Sequence, residues 1–249
     1  MTLGDVWALG PGLIAVVVAV VTVGIGSTIM LGRALGIGRD QRLLIACGFS
    51  ICGAAAVAAA DGVIDADEED VVTAIALVVA FGTAMIAVVP AVAAMLGLSP
   101  ETAGVFAGAS VHEVAQVVAV GGSLGAAALN GAVVVKLARV LLLAPVMAVI
   151  SLRQRRLGST TSVRPPVIPL FVAGFLAMVT LRSAGVVPPV VVGPASVVQT
   201  ALLASAMFAL GTGARISAFR KLGPRHLVLA ALSTTVVASV ALAGTMLTS

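Results

Sequence analysis

Apolar residues run along this chain in blocks of about twenty, parted by short stretches rich in Gly, Pro or charge. At 1.5 Å of rise per residue, such a block crosses a hydrocarbon core of roughly 30 Å. Eight blocks have that length: 12–32, 42–60, 70–97, 103–121, 126–151, 166–185, 192–213 and 227–247. The breaks read "RALGIGRDQR", "DGVIDADEED", "GLSPET", "GGSLG", "RQRRLGSTTSVRPP", "VVPPVVVGP" and "RISAFRKLGPRH". Turn formers and charges end helices there, and short connections keep consecutive helices side by side. The pattern predicts an all-α fold, a polytopic membrane helical bundle of about eight transmembrane segments with one or two interrupted helices. Residues 1–249 are expected to form one integral membrane domain.

Composition agrees: 60% of the residues are hydrophobic and 10% charged, with a mean hydropathy of +1.21. A soluble domain of this length does not have that balance. Met1 to Asp5 carries no basic residue and the first apolar run is too long for a signal peptide, so that run is expected to stay as an anchor. The pI of about 10.0 reflects orientation rather than nucleic-acid binding. Arg33, Arg39 and Arg42 follow the first segment, Arg153, Arg155, Arg156 and Arg164 the fifth, and Arg215, Arg220, Lys221 and Arg225 the seventh. With eight crossings these loops share one face, which the positive-inside rule makes cytoplasmic. The expected location is the inner (cell) membrane, multi-pass, with both termini and the acidic stretch Asp61 to Asp70 on the periplasmic side. Arg182 lies near an outer helix end, where it can snorkel.

The candidate chemistry lies in "GVFAGASVHEVAQVVAVG", residues 104–121, where His112, Glu113 and Gln116 stand in the middle of an apolar segment. Lys136 and Arg139 stand three apart on one face of the next segment, roughly 15–20 Å deep. A tight Gly-rich turn makes the two segments neighbours, so the clusters can face each other. Ionised groups at that depth cost at least ~2.5–3.5 kcal/mol each and therefore face a cavity or one another. One reading is a structural Glu113–Arg139 or Glu113–Lys136 pair. The other is an anion and proton site, because one carboxylate cannot neutralise two cations and a surplus positive charge remains for a ligand.

A third stretch, residues 43–63, carries Gly48, Ser50, Cys52 and Gly53 within a run of Ala. Such residues permit close helix packing and also interrupt a helix. Interrupted helices in transporters present backbone N–H groups at half-helix N-termini, which suit anions. Cys47 and Cys52 are five apart, the wrong spacing for one helical face, so neither a disulfide nor a metal pair is expected.

The blocks "LIACGFSICGAAAVAAADGVI", "GASVHEVAQV" and "KLARVLLLAP", in this order and spacing, resemble the sulfate exporter family of YeiH-type conserved inner-membrane proteins. The resemblance is strongest over residues 30–155. It implies a transporter exporting sulfate, sulfite or related sulfonates. By motif it carries over Ser50, Cys52, Gly53, Ser110, His112, Glu113, Gln116, Lys136 and Arg139 as positions of interest; read with the buried charges above, Ser50, Cys52, Gly53, Ser110, Gln116, Lys136 and Arg139 are the expected substrate-binding residues, and His112 and Glu113 the expected proton-coupling pair. It also implies about three further membrane helices ahead of the point matching Met1, which leaves three expectations: a complete transporter, a shortened paralogue that completes itself as a homo-oligomer, or a gene model with a late start. The expected partners are the lipid bilayer and a small oxyanion, with no nucleic acid and no cofactor.

Rival classes are a cation/proton exchanger built on Glu113 and His112, and a non-transporting structural membrane subunit. An enzyme is not expected. "HEVAQ" has Gln116 where the H-E-x-x-H zinc motif needs its second His, and His226 lies in a loop.

Overall fold

In the computed structural model, residues 2–156, 170–213 and 223–248 are described. Arg164, Arg215, Arg220 and Lys221, which entered the orientation argument, lie outside the described residues. The chain forms α1 (Leu3–Trp7), α2 (Gly10–Ala34), α3 (Arg39–Ser50), α4 (Ala54–Ile64), α5 (Glu68–Met95), α6 (Pro100–Ser110), α7 (Val114–Leu124), α8 (Ala126–Leu141), α9 (Leu143–Arg156), α10 (Leu170–Ser183), α11 (Pro189–Gly213) and α12 (Pro224–Thr248). The described residues contain no strand. Helices α2, α5 and α12, and the nearly continuous α8–α9 rod, are long and apolar enough to cross a membrane. The protein is an all-α membrane helical bundle.

Helix ends follow the local chemistry. The acidic "DADEED" stretch is the start of α5, with Glu68, Glu69 and Asp70 in its first turn, where negative charge meets the positive end of the helix dipole. Helix α6 starts at Pro100 behind the Ser99 cap, whose hydroxyl accepts from Thr102 N at 3.2 Å.

Two of the eight expected segments are split. The segment expected at 42–60 breaks between α3 and α4, where Gly53 takes φ +80° and ψ −138°, a conformation that side chains with a Cβ rarely adopt. The segment expected as unbroken over 103–121 is instead two helices. Helix α6 ends at Ser110, Val111 and Glu113 are extended, and α7 restarts at Val114. His112 and Glu113 therefore lie in a break and not within a helix.

The broken segment α6–α7 lies along α8. Gly104 and Gly108 of α6 come so close to α8 that a Cβ on either would stand 2.3 Å from the carbonyl oxygens of Ala128 and Ala132. Four-residue spacing of small residues on both helices allows this backbone-to-backbone approach. Helix α12 lies along α2 and α6, so α2, α3, α5, α6, α8 and α12 surround the two breaks.

Side-chain bonds gather the basic connections at one end of the bundle. Arg39 Nη2 donates to Gln154 Oε1 at 3.3 Å, and His226 Nε2 lies 2.8 Å from Gln41 Oε1. The starts of α3 and α12 and the end of α9 therefore meet.

Candidate functional site at two crossing helix breaks

The two breaks meet in the interior, and every strongly polar group there is buried: His112, Gln116, Lys136 and Arg139 have no exposed surface, and Glu113 is 6% exposed. The position of each charge follows from the helix ends around it.

Where α3 and α6 stop, their last carbonyls have no intrahelical partner and form the negative end of each helix dipole. Lys136 and Arg139, on one face of α8, supply the missing donors. Lys136 Nζ donates to the carbonyls of Ile51 (3.0 Å), Val111 (2.8 Å) and His112 (2.5 Å). Arg139 donates through Nε to Ser50 at 3.2 Å and through Nη2 to Ser50 at 2.7 Å and Phe49 at 3.3 Å. Its Nη1 reaches Ala109 at 2.8 Å, Val111 at 3.1 Å and Gly108 at 3.3 Å. Each cation thus bridges the ends of both half-helices.

Where α4 and α7 start, the polarity is reversed. Glu113 is the N-cap of α7, and its carboxylate accepts from the backbone N–H of Gln116, while Gln116 Oε1 accepts from Glu113 N at 3.3 Å. The same carboxylate accepts from Ala54 N, the first residue of α4, at 2.8 Å. One carboxylate caps two helix N-termini, which is the favourable end for negative charge. Gly53 is required for this approach, because a Cβ there would stand 2.3 Å from Glu113 Cγ.

This geometry differs from either pairing expected from the sequence. Among the described residues Glu113 is bonded to backbone N–H groups, and both cations are bonded to carbonyls. All three hydrogens of Lys136 have acceptors, and each guanidinium nitrogen of Arg139 has at least one. The surplus cation is present, but its donors are engaged.

The remaining expected positions divide. Gln116 Nε2 donates to Val79 O at 3.3 Å and packs on Gly82, tying α7 to α5. His112 lies against Phe49, ring centroids 4.6 Å apart, with Nδ1 3.1 Å from Phe49 O and Nε2 3.1 Å from Thr234 Oγ1. A carbonyl only accepts, so Nδ1 carries a hydrogen. His112 thereby links the end of α3 to α12. Ser110 Oγ donates within its own helix to Phe106 O at 2.6 Å. Ser50 Oγ is buried without a partner among the described residues and lies where a Cβ on Gly24 would be, although the Ser50 carbonyl serves Arg139. Cys52 and Cys47 are buried free thiols. Sequence reasoning missed the backbone groups of Phe49, Ile51, Ala54 and Val111. It also missed the Glu113-x-x-Gln116 spacing, which matches the capping pattern at helix starts.

Comparison with known proteins gives the family. The model described as conserved hypothetical protein 698 matches residues 1–230. The chain belongs to this family. It is 55% identical to a UPF0324 membrane protein of Corynebacterium glutamicum over all of its own length and 72% of that protein. With the UPF0324 inner membrane protein YeiH of Salmonella typhi it shares 38% identity over 88% of this chain and 65% of YeiH. With a UPF0324 membrane protein of Pseudomonas aeruginosa it shares 41% identity over 83% of this chain and 61% of that protein. The chain thus spans about two thirds of the length of these last two relatives. No solved structure matches. Membership of the UPF0324 family agrees with the YeiH-type resemblance and with a membrane location.

Proposed function

We propose that this UPF0324 chain forms the core of a proton-linked secondary transporter of small oxyanions, with its site where the two helix breaks meet. The observation that supports this reading is the buried Glu113 carboxylate held between the N-termini of α4 and α7. Broken helices meeting at mid-membrane are the recurring substrate sites of secondary transporters, and helix N-termini are anion sites. The carboxylate is itself an oxyanion, so the backbone donors are already set at the spacing that such a group needs.

The coupling follows from competition for those donors. When Glu113 takes up a proton it loses its negative charge and much of its hold on Ala54 N and Gln116 N, and a substrate anion can take its place. Proton and anion then travel together. Glu113 is the proton carrier in this reading, while His112, engaged with Phe49 and Thr234, positions α12. A cation/proton exchanger would need free oxygen ligands at the crossing, whereas the carbonyls there are occupied by Lys136 and Arg139.

The test is flux in proteoliposomes carrying the purified chain, offered sulfate, sulfite and short sulfonates with and without an inward pH gradient. Uptake of at least one anion should rise with the gradient, and Glu113→Gln should abolish the dependence on the gradient. If no anion in the panel moves while a monovalent cation exchanges for protons, the anion reading is wrong and the exchanger takes its place.

A further inference from the structure

A second polar feature lies away from the crossing, at the basic end of the bundle. A cavity of about 140 Å³ opens between α2, α3 and α9, lined by Ile29, Leu43 and Ile150 together with Arg39, Arg42, Arg153 and Gln154. We propose that this cleft seats the phosphate of an anionic phospholipid, held by the guanidinium groups of Arg39, Arg42 and Arg153 over an apolar floor.

Four observations support the assignment. The volume, about 140 Å³, is room for a phosphate and its first ester groups but not for a folded peptide. The lining is split, with three arginines and an amide around three aliphatic side chains. A free inorganic anion has no use for the aliphatic part, whereas a phospholipid has phosphate and hydrocarbon joined. The arginines also retain unused donors. Arg39 gives one N–H to Gln154, Arg42 gives one to the Ile37 carbonyl at 3.4 Å, and among the described residues none of the three is paired with a carboxylate. The forked guanidinium is the side chain best shaped to take two phosphate oxygens at once. Finally, the cleft lies at the start of α3 and in the last turn of α9, the level at which a membrane helix leaves the hydrocarbon core. Basic clefts between membrane helices at that level take acidic headgroups.

A lipid seated there would brace α3, whose other end carries the Phe49 and Ser50 carbonyls, against α9. This is a site separate from the crossing, and it stands or falls independently of the transport reading.

The experiment is native mass spectrometry of the whole chain in detergent, titrated with phosphatidylglycerol, with phosphatidylcholine of the same acyl chains, or with soluble glycerol phosphate. Thermal unfolding is read in parallel. Phosphatidylglycerol should give a saturable single adduct and raise the unfolding temperature, and the other two should do neither. Arg42→Gln and Arg153→Gln should each weaken the adduct about fivefold, the value for roughly 1 kcal/mol per arginine near a membrane surface. Arg156→Gln, on the same helix end but outside the cleft, should leave it unchanged. Equal retention of phosphatidylcholine, or equal loss with Arg156→Gln, would overturn the site. An equal effect of glycerol phosphate would make the occupant a soluble phosphate and overturn the lipid assignment.

Discussion

Lys136→Met tests the central claim that the buried cations close two half-helix C-termini. The substitution keeps the length and the apolar stem of the side chain and removes the ammonium. Of the three carbonyls it serves, that of Val111 keeps Arg139 Nη1 at 3.1 Å. Those of Ile51 and His112 lose their only donor among the described residues. A stranded buried acceptor costs about 1–3 kcal/mol, so two cost about 2–6 kcal/mol. Burying Met instead of an ammonium returns part of this, because the charge no longer has to be stripped of water. A net loss of about 3 kcal/mol is therefore expected, which for a chain of this size lowers the unfolding temperature by on the order of 6–12 °C. The assay is thermal unfolding of detergent-purified protein, with Lys136→Arg alongside as the variant that keeps charge and donors. A Lys136→Met protein that unfolds within 2 °C of the parent would refute the reasoning, since the carbonyls would then have to be satisfied without the lysine.

Other outcomes follow from single positions. Gly53→Ala places a methyl group at φ +80° and 2.3 Å from Glu113 Cγ. It should cost about 1–3 kcal/mol in backbone conformation alone, and it should move the carboxylate enough to cut anion uptake at least tenfold; unchanged uptake would remove Glu113 from the site. His112→Gln gives up a contact to Phe49 or to Thr234 and should lower stability by about 1–2 kcal/mol while leaving the pH dependence of anion uptake intact. A flattened pH profile in that variant would return the proton role to His112. For orientation, Glu68→Cys, in the exposed first turn of α5, should react with an impermeant thiol reagent from the periplasmic side, and reaction only in opened cells would invert the topology.

How much of this was legible in the sequence depends on whether side chains or backbone carry the information. The Gly53 break could be read because only a residue without a Cβ favours that backbone. The second break could not be read in the same way: Val111, His112 and Glu113 contain no Gly or Pro, and the segment passes for an unbroken apolar helix. Its only mark is Glu113 three residues ahead of Gln116, a helix-start signature set in the middle of a helix. The placing of Lys136 and Arg139 on one face followed from their spacing. Their partners did not, because free carbonyls arise only where a helix has already stopped. Side-chain reasoning therefore sought a carboxylate for the cations and found Glu113, which the fold assigns to the opposite helix ends. The boundaries of the long helices α2, α5 and α12 were set by apolar length, which is why they match the sequence reading closely.

If the crossing takes a substrate as proposed, its charge balance favours an anion over a cation, even though every donor is engaged. Each helix end carries about half an elementary charge, so the two C-termini together bring about one negative charge and the two N-termini about one positive charge. These offset each other and leave the side chains to decide the sign. Lys136 and Arg139 contribute two positive charges and Glu113 one negative, so the buried centre is positive by about one charge with Glu113 ionised and by about two with it protonated. In a low-dielectric interior that excess repels a cationic substrate and attracts an anion most strongly in the protonated state. On the proposed reading, proton uptake and anion binding are reciprocally linked, and affinity should rise as the pH falls. A divalent oxyanion would bring the protonated centre to neutrality, while a monovalent one would leave about one positive charge. Preference for the divalent ion should consequently grow at low pH in the parent protein, and in Glu113→Gln, whose centre keeps the charge of the protonated state, it should stay high at every pH. A divalent preference that stays constant with pH in the parent protein would mean that Glu113 does not titrate during transport, and the carboxylate would then be a fixed cap joining α4 to α7.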